Sequence, residues 1–362
     1  MKITAVDSYI GKGIHIIKVH TDAGITGIGE CSAMDPELTA QIVSKRFRDV
    51  LIGKDPHDVN RLQEDCLVGN RGYKIAGQLM SMAYSGIDIA LWDIMGKAAG
   101  QPVYNLLGGK YRDKILLYGS SMSRDLSIAD EMTKLKGGLD KFGFNAVKIK
   151  VGPRMDNHRV IPDLDYDEAK VRATRELIGP KRKLLVDVNS SYTYSQAITF
   201  AKRIEKYDIF QYEEPCPFYD LESYKKTAEK INLPINAGEQ DWNLHVMLDF
   251  IKSGACQIAA ADATKSGGIT TVRKVAAICD AFGIVYSPHN TSRGIGTATH
   301  LQICTAMPAC NHYQEYSIEA AGGSSEYLST RFIPVDGTIS APTTPGIGVE
   351  LDEEKVATLQ KV

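Results

Sequence analysis

The sequence has almost no surplus of charge: 42 Lys and Arg face 44 Asp and Glu, a formal net of −2. A nucleic-acid binder or a polybasic membrane module would show a basic footprint, so neither partner is expected. Long apolar runs are also missing. None approaches the ~18 residues of a spanning helix, and the first residues show neither the basic nor the apolar region of a signal peptide. The cysteines are seven, an odd number, scattered and without a C-x-x-C pair. That pattern argues against a disulfide framework or a zinc site and for buried thiols in a reducing cytoplasm. No low-complexity segment occurs. What is present, 43% hydrophobic and 24% charged residues, excludes a disordered, collagen-like or coiled-coil chain. The length sets a prior of roughly two to three domains.

The first part of the chain and the rest have different patterning. Residues 2–9, 14–21 and 25–31 read as a three-stranded antiparallel meander with turns at Gly11–Gly13 and Thr21–Gly24. Asp35-Pro36 and Asp55-Pro56 each have the form of a helix opening, the second running to about Cys66. Residues 73–99 carry a dense apolar stripe at helical spacing. From about residue 114, short apolar strands alternate with helical stretches. The strand candidates are 115–118, 145–150, 184–188, 209–213, 234–238, 257–261, 284–287 and 312–315. Alternation of this kind implies a parallel sheet, and eight βα units suit a (β/α)₈ TIM-type barrel. A doubly wound open sheet competes, but no strand is followed by G-x-G-x-x-G. The expected partition is an α+β capping domain over 1–113, the barrel over 114–320, and a turn-rich C-terminal segment over 321–362 that packs back on the cap.

Polar residues stand where these strands should end. Lys148 and Lys150 lie in Ala-Val-Lys-Ile-Lys-Val, and alternation puts both on one face. Asp187, Glu213 and Glu239 end three successive strands at intervals of 26 and 26 residues, and Asp262, His289 and Glu315 follow after 23, 27 and 26. One βα unit averages roughly 25–30 residues, so each group tops a strand at the barrel's C-terminal rim, where active sites of this fold lie. Each position alone has a plainer reading. A strand-end acid caps the next helix, Glu213-Glu214-Pro215 forms a capping run, the lysines are solvated, and the histidine is structural. A shared phase across successive strands is not explained that way.

Adjacent carboxylates cannot all stay ionised in one site without a cation. One hard oxygen ligand from each of three strands suits Mg²⁺ or Mn²⁺. Such an ion would polarise a substrate carboxylate for loss of the α-proton. Lys150 is the candidate base, its pKa lowered by Lys148 and the cation. His289, oriented by Asp262, is the candidate acid or base from the opposite face. A protonated Glu315 is the candidate hydrogen-bond donor to the developing oxyanion.

These residues, with Gly27-Ile-Gly29-Glu30, Gly86-Ile-Asp88-Ile-Ala-Leu-Trp92-Asp93 and Leu107-Gly108-Gly109, resemble the enolase superfamily and, within it, the mandelate racemase subgroup. The resemblance implies an enolase-like modified barrel with its cap, a K-x-K at Lys148-Ile-Lys150, metal ligands at Asp187, Glu213 and Glu239, an Asp262–His289 dyad and a strand-eight Glu315. Muconate-lactonizing relatives carry a lysine where Asp262 stands; Lys265 is read as structural. The resemblance further implies a homo-oligomer acting on a small carboxylate. The expected reaction is dehydration of a sugar acid to a 2-keto-3-deoxy acid. The alternative is a racemase or epimerase with Lys150 and His289 as opposed bases, and a non-catalytic metabolite sensor is the remote one. Asn189 matches a family position near the substrate's α-hydroxyl. Arg71 is placed to meet a distal carboxylate or hydroxyls, with a solvated loop arginine as its plainer reading. The short turn Tyr9–Ile14 implies an open or polar site; the insert after K-x-K reads first as a structured surface loop, with Arg154 and His158 close enough to the site's mouth to reach it as the other reading.

Overall fold

The computed structural model describes residues 1–69, 71–155, 160–319 and 323–362. Strands β1 (Ile3–Gly11), β2 (Ile14–Thr21) and β3 (Thr26–Glu30) form the antiparallel meander. Helices α1 (Pro36–Ile42), α2 (Arg48–Leu51), α3 (Val59–Leu67), α4 (Gln78–Ala99) and α5 (Val103–Leu106) follow. Two helix starts differ from expectation. Asp35 sits in the left-handed region at φ 46° and its side chain makes no capping bond, although Pro36 does begin α1. Asp55 instead accepts from the His57 amide at 3.0 Å in a local turn, and α3 begins later, at Val59.

The long helix α4 is buried on nearly every side from Met80 to Ile94, so it is a core rod rather than a surface helix. Strand β3 lies directly on it. A Cβ at Gly27 would collide with the Ala90 carbonyl oxygen, and one at Gly29 with that of Gly86. The polar residues of α4 reach out to its neighbours. Ser85 accepts from the Gly267 amide, Asp88 from the Thr270 amide, and Trp92 donates to Thr270 Oγ1, each at 2.9 Å. Asp93 accepts from the Ile28 and Ile347 amides.

Eight parallel strands are present among the described residues. They are β4 (Ile115–Ser120), β5 (Ala146–Lys150), β6 (Lys183–Asp187), β7 (Ile209–Glu213), β8 (Ile235–Ala237), β9 (Ile258–Ala259), β10 (Val285–Tyr286) and β11 (Gln314–Ser317). Their order is β10-β9-β8-β7-β6-β5-β4-β11. The seam between β10 and β11 is bridged by Ser287 Oγ donating to the Tyr313 carbonyl at 2.9 Å. Helices α6 (Ile128–Phe142), α7 (Leu164–Ile178), α8 (Tyr194–Ile204), α9 (Leu221–Ala228), α10 (Leu244–Ser253), α11 (Ile269–Phe282) and α12 (Ile295–Ala306) alternate with them. Their ends are written locally: Ser127 caps α6, Thr193 and Gln196 form a capping box on α8, and Gly143 closes α6 in the left-handed region. Beyond the barrel, β12 (Thr338–Ile339) pairs with the start of β4. After α13 (Glu353–Val356), β13 (Gln360–Lys361) pairs with β1, so the tail returns to the first sheet.

Tyr118, Ala146 and Leu185 form a small buried cluster of their own. Two residues further along the latter two strands stand Lys148 and Asp187, on the same face of the sheet. The apolar plug thus floors a polar layer at the strand ends.

Candidate active site

The strand register brings the polar residues together. Lys150 stands opposite Asp187, and Asp187 opposite Glu213. Lys148 Nζ lies 2.7 Å from Glu213 Oε1, 2.7 Å from Glu315 Oε1 and 3.7 Å from Asp187 Oδ2. Lys150 Nζ donates to Asp187 Oδ2 and to Asn189 Oδ1, both at 2.8 Å. On the far side, His289 Nδ1 is 2.8 Å from Asp262 Oδ2 while its Nε2 is 3.6 Å from Glu239 Oε2. Asn189, Ser190 and Glu214, just past β6 and β7, all have positive φ, a strain that collects at functional strand ends.

Burial and neighbouring charge divide the acids. Burial would raise Asp187, but Lys150 and Lys148 outweigh it and hold its carboxyl well below the carboxylate range. Glu315 is held at about 2, with Lys148 and His289 overcoming its burial. Glu315 is expected as a protonated donor; here the Lys148 ammonium, 2.7 Å from its Oε1, and the Asn290 amide, donating to its Oε2 at 2.9 Å, favour its ionised form instead. Lys148 is buried too, yet Glu213 and Glu315 keep its ammonium charged well above its usual range. Glu213 goes the other way. Burial and the carboxylates of Asp187, Glu315 and Glu239 push it up to about 8 despite Lys148. Glu214, also buried, is pushed well up by burial and by Glu239, and its Oε1 has no hydrogen-bond partner.

The carboxyl groups at these strand ends therefore outnumber the lysines, and protons held by Glu213 and Glu214 make up the difference. Asp187, Glu213 and Glu239 offer only oxygen donors from adjacent strands, a set that fits a hard divalent cation. Among the described residues no three His, Cys, Asp or Glu side chains are drawn close enough to hold an ion. Lysine ammonium groups sit on Asp187 and Glu213 instead, and Gln240 donates to Glu239 Oε1 at 2.7 Å.

The site opens into a cavity of about 1070 Å³ whose wall includes Lys150, Asn189, Glu239, Asp262 and His289. Lys12 and Gly13, the two-residue turn of the first hairpin, reach it, as do Arg154 and the apolar Met34, Met82 and Phe218. The mouth is open as expected but has apolar stretches as well as polar ones. Arg71 is exposed and does not line this cavity; His158 lies outside the described residues. Lys265 is buried, lines the cavity and is 3.8 Å from Glu239 Oε1.

Two neighbours of the site are absent from the residues expected from the sequence. Arg124 donates to Asn189 Oδ1 at 2.7 Å and to the Val151 and Gly152 carbonyls. His300 contacts Asp262 from within α12. Arg124 stands just past the end of β4 and in phase with Lys150, so the barrel period could have pointed to it, whereas His300, inside α12, has no such signal.

Residues 3–108 match the family model described as mandelate racemase / muconate lactonizing enzyme, N-terminal domain. Residues 129–355 match the one described as enolase C-terminal domain-like. A D-galactonate dehydratase of Variovorax paradoxus is 31% identical over 365 residues, covering 98% of this chain and 94% of that one. A D-xylonate dehydratase of Haloferax volcanii is 28% identical over 353 residues, covering 94% and 84%. Among solved structures, a mandelate racemase/muconate lactonizing protein from Paracoccus denitrificans, complexed with magnesium, is similar with a TM-score of 0.91 at 26% identity, covering 100% of this chain and 99% of that one.

Proposed function

The chain belongs to the mandelate racemase / muconate lactonizing enzyme family of the enolase superfamily, and from that membership we propose that it dehydrates a sugar acid, an aldonate or aldarate, to a 2-keto-3-deoxy acid with Mg²⁺ (or Mn²⁺) bound by Asp187, Glu213 and Glu239. One observation carries the reading: Lys150 and the Asp262–His289 pair share the wall of one cavity with Glu239, around a surplus of buried carboxylates. The names of the dehydratase relatives support the same reaction class, and the magnesium in the Paracoccus protein supports the cation. When bound, the cation supplies charge neutralisation for the substrate carboxylate.

The chain's own residues supply the rest. Lys150, held in place by Asp187 and Asn189, acts as the neutral amine: its nitrogen lone pair takes the α-proton as the Cα–H bond breaks. The negative charge that moves onto the carboxylate oxygens meets the Lys148 ammonium, held in place by Glu213 and Glu315. His289, as the imidazolium that Glu239 and Asp262 favour, donates its Nδ1 proton to Asp262 in a hydrogen bond and delivers its Nε2 proton to the departing β-hydroxyl. The Cβ–O bond breaks, water leaves, and the enol tautomerises to the 2-keto acid.

The test is a screen of the protein with Mg²⁺ against mono- and diacid sugars, reading 2-keto acid formation and α-deuterium exchange. The expected result is keto acid from one sugar acid, lost in both Lys150→Ala and His289→Ala. Exchange with no keto acid would replace dehydration by racemisation. Silence in both readouts across the panel would overturn the proposal.

A further inference from the structure

We infer that His300 is a positioning residue for the acid–base pair: it clamps Asp262 so that the carboxylate can turn only one oxygen to His289. The inference rests on the roles proposed above for Asp262 and His289. His300 lies in α12, which is buried along its whole length, and its own exposure is 4%. Its Nε2 is 3.2 Å from Asp262 Oδ1. That same oxygen accepts from the Thr264 amide at 2.7 Å and from Thr264 Oγ1 at 2.9 Å. The other oxygen, Oδ2, has the His289 Nδ1 contact at 2.8 Å.

The donor inventory then fixes the protons. An ionised carboxylate only accepts, and a neutral imidazole carries a single N–H. His300 therefore carries its proton on Nε2. Its Nδ1 is buried without a hydrogen-bond partner, and the ring borders a small void shared with Asn290, Gln314 and Glu315. Burial favours the neutral ring, against the pull of Asp262. With Oδ1 saturated by three donors, rotation of the Asp262 carboxylate would break all of them. Oδ2 stays on His289, the His289 proton stays on Nδ1, and its Nε2 is presented to the cavity. The sequence places a dyad here; the structure adds a third member behind it.

Two measurements on the Mg²⁺-loaded protein test this. The first needs no variant: long-range ¹H–¹⁵N correlation of histidine-labelled wild type should find His300 neutral with the proton on Nε2. A proton on Nδ1, or a doubly protonated ring, overturns the clamp. The second compares His300→Phe, which keeps a ring and removes the donor, with His300→Gln, whose amide can donate from the Nε2 position. Partners that orient a working imidazole are worth about 10- to 100-fold. The Phe variant should lose about that much in kcat with KM held within about twofold, and Gln should recover most of it. A Phe variant as fast as wild type, or a Gln variant as slow as Phe, overturns the inference. A wild type that neither turns over nor exchanges any acid defeats the proposed function instead, while the His300 tautomer still reports on the clamp.

Discussion

Glu213 bears the strain of the unneutralised acid cluster. Its carboxyl is raised from 4.5 to about 8, so the folded metal-free protein keeps a proton there that the unfolded chain releases across that interval. More protons on the folded form means that this group's contribution to stability falls as pH rises from 4.5 towards about 8. His289, also raised, by Glu239 and Asp262 against its burial, acts in the same direction: its favourable contribution is lost as pH rises through its folded value. A divalent cation replaces the proton on Glu213, so the melting shift that Mg²⁺ induces should be larger near about pH 8 than near about pH 6. In Glu213→Gln the shift and its pH dependence should both vanish; a shift equal at the two pH values would remove Glu213 from the ligand set. Strand phase made this residue legible, because it ends a strand one barrel unit after Asp187. Its protonation was not legible, nor was the ionised state of Glu315, since both depend on where the Lys148 ammonium comes to rest. His300 escaped for a different reason, since it reaches the site from a helix interior that has no barrel period, while Arg124, in phase just past β4, was legible and was passed over.

At the level of elements, the strands were easy to find because most are short, largely buried apolar runs with a charged or titratable group at or just past their end. Helix starts were harder. Asp-Pro reads as a cap, yet at residue 35 the side chain makes no capping bond, and the Asp55 carboxylate is taken by the His57 amide within its own turn. The sharpest packing constraint is between β3 and α4. Alanine is ordinarily the better strand residue than glycine by roughly 0.5–1 kcal/mol. At residue 29 that preference is outweighed, because the added methyl meets the backbone oxygen of Gly86 and neither element can yield cheaply. We expect Gly29→Ala to destabilise by about 1–3 kcal/mol, read as a lower melting temperature with no change in Mg²⁺ affinity. An unchanged melting temperature would show that β3 can lift off the helix.

The whole molecule is tied at Glu30. From the end of β3 its carboxylate accepts from Ser292 Oγ at 3.1 Å and the Gly296 amide at 2.7 Å, both beyond β10, and from the Ser324 amide and hydroxyl at 3.0 and 2.8 Å, beyond β11. One buried side chain thus joins the first sheet, the segment that follows His289 and the start of the C-terminal region. Glu30→Gln puts an amide N–H against some of these donors. Hydrogen bonds to a charged acceptor are worth about 1.5–3 kcal/mol each, so the variant should melt earlier and raise KM more than it lowers kcat; an unaltered KM would mean that the mouth does not depend on this tie. The hairpin turn opposite is much less constrained. Lys12 and Gly13 face the cavity; the left-handed φ of 66° at Gly13 favours glycine there, but the space around it is open, with nothing within 4 Å of an added side chain. Lengthening a surface loop costs little, about 0.6 kcal/mol per doubling. On the function proposed above, chemistry and choice of substrate are therefore heritable apart: the strand ends, with Lys150 and His289, can stay fixed while insertions at this two-residue turn reshape the cavity wall.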